Sequence, residues 1–348
     1  MSIPAAPQIC VWEVTLACNA ACIHCGSWAG RARPHELTTD EALAACAALA
    51  ELGVREVTLS GGEPLMRPDW ERIVAALRGR GLLVELISNG LALDQLQAAR
   101  IAKSGIRTVS LSVDGDAPVH DRLRGVPGAF ARVMAAARAL RAEGIRVGAV
   151  TQVCRLNLDR LAAIESALRE GGFGAWQIQL TMPVGRCDRD LAIDPGQIHQ
   201  VIDFIVDDST PLRLPRYGAD NIGWMLPCEP ALRSVARPTD RVFRGCQAGL
   251  GVIGLVSDGT VRGCLSMPPV FDEGNLRRRS LREIWQDENA FAYNRRFTPA
   301  DATGPCRDCA FVRVCRGGCK TLAHAAGRGL GENPYCARIA ARGKAGAA

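Results

Sequence analysis

From residue 9 to about 182, short apolar runs alternate with longer amphipathic ones. The runs "VWEVTL" (11–16), "REVTLS" (55–60), "LVELIS" (83–88), "RTVSLSV" (107–113), "RVGAVTQV" (146–153) and "AWQIQL" (175–180) predict six strands. The stretches 38–53, 69–81, 93–105, 128–144 and 157–172 predict the helices between them. Thr38 and Glu41 read as a capping box, Gly53 as a stop, and Asn157 as the opening of the last helix. Repeated βα units imply a parallel sheet, because each helix supplies the crossover between neighbouring strands. The pattern fits a doubly wound sheet or an open, incomplete (β/α)6 barrel. In both, ligand groups gather at the carboxyl ends of the strands. Cys18 follows strand one, Gly61 strand two, Ser88-Asn89 strand three and Asp114 strand four.

After residue 182 the alternation stops. A helix is expected near 198–207, followed by a proline-rich stretch at 211–240 and a cysteine-dense region with one helix at 280–294. The expected organisation is a barrel over 1–186, a bridging region over 187–240 and a small cysteine-rich domain over 241–348. No internal repeat or low-complexity segment interrupts it.

Charge changes this picture little. The formal net charge is +6 over 348 residues, spread along the chain, which argues against a nucleic-acid partner. The run Arg277-Arg278-Arg279 reads as a solvated helix start before Ser280. No stretch approaches the ~18 consecutive apolar residues of a membrane span. The N-terminus lacks the basic segment and apolar run of a secretory signal, so a cytoplasmic location is expected.

The fifteen cysteines change it a great deal. In a reducing compartment, clustered cysteines point to metal binding or catalysis rather than disulfides. Cys10, Cys46, Cys154, Cys187 and Cys228 are scattered, and the other ten fall into two spacing patterns. The first is "CNAACIHC" (18–25), with Cys18, Cys22 and Cys25. A four-iron four-sulfur cluster needs one ligand per iron, so three thiolates leave one iron open to a small molecule. A zinc loop with a distant fourth ligand, or buried structural cysteines, would also produce this spacing. In "LSGGEP" (59–64), Gly61 and Gly62 allow close approach to the backbone, and Glu63 offers a carboxylate to an ammonium group. Alone, this is also the pattern of a glycine turn.

Together the two motifs resemble the radical S-adenosylmethionine (SAM) enzymes. The resemblance implies that Cys18, Cys22 and Cys25 hold a [4Fe-4S] cluster whose fourth ligand is SAM itself. It places Gly61, Gly62, Glu63 and Pro64 along the methionine end and His24 near the adenine. Ser88, Asn89, Ser112 and Asp114 fall where the family makes polar contacts to the ribose and carboxylate. Asn-Gly and Asp-Gly are turn formers in any case. An electron from a flavodoxin- or ferredoxin-like donor would cleave the sulfonium and leave a 5′-deoxyadenosyl radical, the cofactor carrying the hard chemistry.

The second pattern spans Cys246, Cys264, then "CRDCAFVRVCRGGC" with Cys306, Cys309, Cys315 and Cys319, and finally Cys336. It resembles the SPASM extension of that family, which holds two auxiliary [4Fe-4S] clusters. By order, Cys306, Cys309, Cys315 and Cys336 would hold the distal cluster, and Cys246, Cys264 and Cys319 the nearer one. The nearer set is one ligand short. Cys228, Asp240 or an open iron are the alternatives. A zinc-binding module remains the competing reading of these spacings.

Proteins with this layout mostly modify peptides, by cross-linking, epimerisation or oxidation. The leading expectation is a peptide maturase, with a peptide substrate and a separate leader-binding protein as partners. Alternatives are a peptide epimerase using a cysteine hydrogen donor, an enzyme making a small-molecule cofactor or modified haem, or a non-catalytic metal scaffold. Cys154, Cys187 and Cys228 are candidate donors, each otherwise a small buried residue. Tyr217 and Asp220 read as either surface or site.

Overall fold

The computed structural model describes residues 4–209, 214–235 and 242–340. All six predicted strands are present: β1 (Ile9–Thr15), β2 (Glu56–Gly61), β3 (Leu83–Ser88), β4 (Thr108–Ser112), β5 (Arg146–Val153) and β6 (Ala175–Leu180). The helices between them are α1 (Thr39–Leu52), α2 (Trp70–Arg78), α3 (Gln95–Ser104), α4 (Ala117–Arg124), α5 (Ala129–Ala142) and α6 (Leu161–Glu170). Then come α7 (Ile198–Val206), β7 (Arg216–Gly218), α8 (Glu229–Leu232), β8 (Val252–Leu255), β9 (Thr260–Arg262) and β10 (Gly274–Asn275). Four short helices follow: α9 (Leu281–Gln286), α10 (Ala292–Arg295), α11 (Val312–Cys315) and α12 (Lys320–Ala325).

β1 to β7 pair in parallel and in chain order, as an open barrel requires. The sheet does not stop at six strands. β7, from the expected bridging region, adds beyond β6, and β8 from the cysteine-rich region pairs in parallel with β1. β9 and β10 continue antiparallel, giving one ten-stranded sheet in the order β10-β9-β8-β1-β2-β3-β4-β5-β6-β7.

The period-2 alternation of the strands sorts their side chains. Cys10, Trp12 and Val14 of β1, Val57 and Leu59 of β2, and Trp176, Ile178 and Leu180 of β6 are buried in the main apolar core. The alternate positions face the barrel interior and are more polar: Glu13 on β1, Gln152 on β5, and Gln177 and Gln179 on β6. Cys10 and Cys46 belong to the core, where burial pushes both thiols up, Cys46 to about 12.

The predicted capping box at Thr38 and Glu41 forms, and Gly53 ends α1 in the left-handed region at φ 99°. Three local readings change. The helical run does open after Asn157, as a 3-10 turn at Leu158–Arg160 leading into α6, but the Asn157 side chain does not cap it. Its amide oxygen accepts from the Cys154 N–H at 2.7 Å, and its Nδ2 donates to the Asp114 carbonyl at 2.8 Å, tying the ends of β4 and β5 together. The helix expected at 280–294 is split into α9 and α10. The Asp287 carboxylate accepts from the Asn289 N–H and Phe291 turns left-handed at φ 56°, so the chain leaves helical geometry between them. α4 is an addition to the predicted elements. It is capped by Asp116, carries Pro118 in its first turn and ends on Gly125 at φ 65°.

Candidate functional site

The carboxyl ends of the strands surround a cavity of about 350 Å³. Cys18, Cys22, Cys25 and His24 line it from the loop after β1, Gly61 and Gly62 from the end of β2, and Ser88 and Asn89 from the end of β3. Ser112, Gln152, Gln177 and Gln179 complete the barrel side. Cys264, Leu265 and Ser266 reach it from beyond β9, so a thiol of the second cysteine pattern opens into the same space as the first.

Each of the three loop thiols meets an N–H donor. Cys18 Sγ accepts from the Ala20 N–H at 3.5 Å and from Asn89 Nδ2 at 3.7 Å. Cys22 Sγ accepts from Arg124 Nη1 at 3.8 Å, and Cys25 Sγ from the Ala29 N–H at 3.4 Å. Such donors favour sulfur in its thiolate form. Burial acts the other way on the free thiol and pushes Cys18 up to about 11. The loop is strapped at both ends. The Ala21 N–H donates to the Arg124 carbonyl at 3.1 Å and the Ile23 N–H to the Leu123 carbonyl at 3.0 Å. The Arg186 N–H, beyond β6, donates to the Cys25 carbonyl at 2.8 Å.

Gly61 and Gly62 allow a close approach, but the group that approaches is the chain itself. A Cβ on Gly62 would lie 2.2 Å from the Ala17 carbonyl oxygen, and one on Gly61, at φ 141°, 2.3 Å from that of Thr15. The Gly62 N–H donates to Thr15 O at 2.8 Å and the Glu63 N–H to Ala17 O at 2.7 Å. The end of β2 is thereby zipped onto the segment that delivers Cys18. Glu63 is buried behind this surface, outside the cavity lining. Its carboxylate accepts from Ser88 Oγ at 2.9 Å and the Asn89 N–H at 2.8 Å, so it holds the corner after β3. Burial pushes this carboxyl up to about 7 despite those donors. Pro64, also buried, opens a 3-10 turn.

Asp114 is likewise buried and off the cavity wall. Its carboxylate pairs with Arg124 Nη2 at 2.5 Å and His24 Nε2 at 3.1 Å, and accepts from the Gln152 N–H at 2.9 Å. Burial alone would raise it, but Arg124 and His24 outweigh burial and hold it well below the usual carboxylate range. The Asp114 N–H donates to His120 Nδ1 at 3.1 Å. Burial and the nearby Arg124 push His120 down to about 4, so this imidazole stays neutral. The His24 ring faces the cavity with Nδ1 buried and without a protein partner. Arg124 is the residue the sequence reading lacked. It joins Asp114 to Cys22, and the Asp116–Pro118–Gly125 pattern of its helix was the available signal.

The second pattern resolves into two sets. Cys306, Cys309, Cys315 and Cys336 line a small cavity of about 30 Å³ with Trp224, Met225, Phe311 and Ile339. Burial pushes Cys315 up to about 12, and Cys336, Cys306 and Cys309 push it the same way. Cys246, Cys264 and Cys319 form the other set: burial raises Cys319, and Cys246 and Cys264 raise it further. Cys228 caps α8 and has Glu229, Asp203 and Arg233 as its electrostatic neighbours, none of the three thiols. Asp240 lies outside the described residues. Cys154 and Cys187 are buried, pushed up to about 11, and neither lines the cavity. Tyr217 stands on β7 opposite Gln177, and Asp220 offers its carbonyl to Trp224 Nε1 at 2.9 Å. All fifteen cysteines are free thiols. No helix is long and apolar enough to cross a membrane among the described residues.

A parallel open barrel holds three donor-supported thiols at its mouth and further thiol sets beside it, an arrangement suited to iron–sulfur clusters. The model of the radical SAM superfamily matches residues 12–162, and that of an iron-sulfur cluster-binding domain (SPASM) matches 246–310. An AdoMet-dependent heme synthase of Methanosarcina barkeri is 31% identical over 341 residues, covering 95% of this chain and 96% of that protein. A PqqA peptide cyclase of Ruegeria pomeroyi is 31% identical over 352 residues, covering 97% and 89%. The crystal structure of Streptococcus suis SuiB bound to S-adenosylmethionine superposes with a TM-score of 0.73 at 17% identity, over 95% of this chain and 76% of that one. The chain belongs to the radical SAM superfamily and carries a SPASM domain. It is a radical SAM oxidoreductase with a SAM-binding [4Fe-4S] cluster and auxiliary iron–sulfur clusters.

The residues present fit these groups. Three thiols with N–H donors face one cavity, and four more line one apolar gap. Among the described residues, no three His, Cys, Asp or Glu side chains converge tightly enough for a single ion.

Proposed function

We propose that this chain is a radical SAM enzyme of tetrapyrrole synthesis, forming haem or a haem-like product. The match to an AdoMet-dependent heme synthase, nearly end to end in both chains, carries this reading. The cavity supports it. A volume of about 350 Å³ must admit both SAM and the reacting part of the substrate, so only the edge of a large substrate enters. Gln152, Gln177 and Gln179 line that space with amide donors and acceptors suited to a peripheral carboxylate of a macrocycle.

In this reading Cys18, Cys22 and Cys25 hold the SAM-binding cluster, which with SAM supplies a hydrogen-abstracting 5′-deoxyadenosyl radical. Gly61 and Gly62 bring backbone to the methionine end, while Glu63 fixes Ser88 and Asn89 from behind. His24 presents Nδ1 to the nucleoside, its ring oriented by Asp114. Cys306, Cys309, Cys315 and Cys336 hold one auxiliary cluster, and Cys246, Cys264 and Cys319 the other. Cys264 brings the latter to the substrate side of the cavity. A flavodoxin- or ferredoxin-like protein delivers the electron.

A second reading keeps the same site and makes the substrate a peptide. It is favoured by the 31% identity to the PqqA peptide cyclase. The test is anaerobic incubation of the reconstituted enzyme with SAM, dithionite and an iron porphyrin bearing propionate side chains. The tetrapyrrole reading expects substrate-dependent release of 5′-deoxyadenosine and a mass change in the porphyrin. Release stimulated by a co-expressed peptide, with a changed peptide mass and an unaltered porphyrin, overturns it.

A further inference from the structure

Two cations are buried at the seam between the auxiliary thiol sets. Lys320 follows Cys319 of one set and has no solvent exposure; Arg316 follows Cys315 of the other and is 6% exposed. Lys320 Nζ donates to the Arg316 carbonyl at 2.5 Å and the Leu330 carbonyl at 2.8 Å, and lies 3.7 Å from the centre of the Phe297 ring. Arg316 turns back at φ 53° and donates through Nη2 to the carbonyls of Arg244 at 3.0 Å and Cys246 at 2.9 Å. Its Nε is buried without a partner. The guanidinium therefore reaches from one thiol set to the backbone of the other.

Neither cation has an ion-pair partner among the described residues. The carboxylate within electrostatic reach of Lys320 is Asp301, and it already accepts from the Thr298 N–H at 2.7 Å and Oγ1 at 2.8 Å. A buried charge without a counter-charge is costly, and proteins pair such groups or lose the charge. Both cations stand within electrostatic reach of Cys246 in one set and Cys315 in the other. A [4Fe-4S] cluster on thiolates is anionic, and its reduction adds one more negative charge. A fixed cation between two such clusters stabilises the reduced form of both and raises both potentials.

We propose that Lys320, with Arg316, is the shared counter-charge of the two auxiliary clusters and sets their reduction potentials together. It is a positioning charge rather than a catalytic residue. The proposal rests on the assignment of the two thiol sets as cluster ligands. That assignment has its own check: Cys315→Ala and Cys246→Ala each lose iron if it holds.

The test is a redox titration of the anaerobically reconstituted full chain, followed by electron paramagnetic resonance with the iron content of each sample counted. Lys320→Met is expected to lower the midpoint of both auxiliary clusters. The expected change is about tenfold in the reduced-to-oxidised ratio at a fixed potential, which is about 59 mV for one electron. The cluster on Cys18, Cys22 and Cys25 keeps its potential, and Lys320→Arg restores the auxiliary values. Unchanged auxiliary potentials in an iron-loaded Lys320→Met protein, or a shift in only one of the two clusters, overturn the proposal. Should Lys320→Met fail to load iron, the comparison with Lys320→Arg decides. Iron kept by Arg and lost by Met shows that the charge is required, whereas iron lost by both shows that shape alone matters and overturns it.

Discussion

The thiols at the barrel mouth and the four in the C-terminal region are the same side chain in contrasting surroundings. Cys18, Cys22 and Cys25 face a space of about 350 Å³ whose wall mixes serine, asparagine and glutamine with valine, leucine and methionine side chains. Cys306, Cys309, Cys315 and Cys336 enclose about 30 Å³ walled by Trp224, Met225, Phe311 and Ile339. The first set has three members and polar side chains share its wall with apolar ones; the second has four members and a mostly apolar wall. A site that must admit a ligand keeps a position and a volume free, whereas a site that only stores or passes electrons closes. The supports differ in the same sense. The mouth loop is held by a buried charge network through Arg124, Asp114 and His24, while the closed set is carried on tight turns, with Arg316 left-handed after Cys315.

The largest expected effect breaks the open side of this contrast. Cys22→Ala should abolish 5′-deoxyadenosine formation, measured by chromatography, while the auxiliary iron stays bound. Cys336→Ala should do the reverse: about four irons per chain are lost, and SAM cleavage continues without productive turnover. Loss of SAM cleavage in both variants would dissolve the contrast.

Asp114→Asn sharpens it. The change leaves Arg124 buried without its anionic partner and should cost about 3–5 kcal/mol of stability in denaturant unfolding. A direct contact to bound SAM would instead raise the KM for SAM with stability unchanged. His120 adds a pH dependence. Its folded pKa of about 4 lies below the unfolded value of 6.5, so the folded protein binds fewer protons. Stability is therefore complete above pH 6.5 and falls as pH drops towards 4, by about 3 kcal/mol at most. His120→Gln should flatten that slope in thermal melts. The smallest effect is expected from Gly62→Ala, whose Cβ meets the Ala17 and Leu16 carbonyl oxygens. Prising β2 from the Cys18 segment should cost about 1–3 kcal/mol and weaken SAM binding in titration calorimetry.

Much of the barrel was legible because each of its first six strands is long enough to show a period, and its helices carry caps such as Thr38–Glu41. β7, β9 and β10 were not, since two or three residues show no period at all. The cysteine spacings announced the two patterns, and Cys306, Cys309, Cys315 and Cys336 of the second line one small cavity. The polar wall formed by Gln152, Gln177 and Gln179 was hidden in plain alternation, because an inward polar position of a barrel strand looks like a solvent-facing one. Glu63 and Asp114 carried the right chemistry for a ligand contact. Their burial, which turns each into a support for its neighbours, comes from packing between strand ends: Glu63 meets Ser88 and Asn89, and Asp114 meets His24 and Gln152 besides the nearer Arg124.

The pairing of β8 with β1 has a consequence for how the protein is made. The flank of β1 that faces β8 stays an unpaired edge until residues 252–255 have left the ribosome. A nascent chain thus holds a nearly finished half-barrel with one raw seam, a state prone to sticking to its neighbours. Cys18, Cys22 and Cys25 are already in place by then, but Cys264 arrives at the shared cavity only after that seam is sealed. The thiols that share this cavity are therefore brought together in order, those of the mouth loop first and Cys264 afterwards.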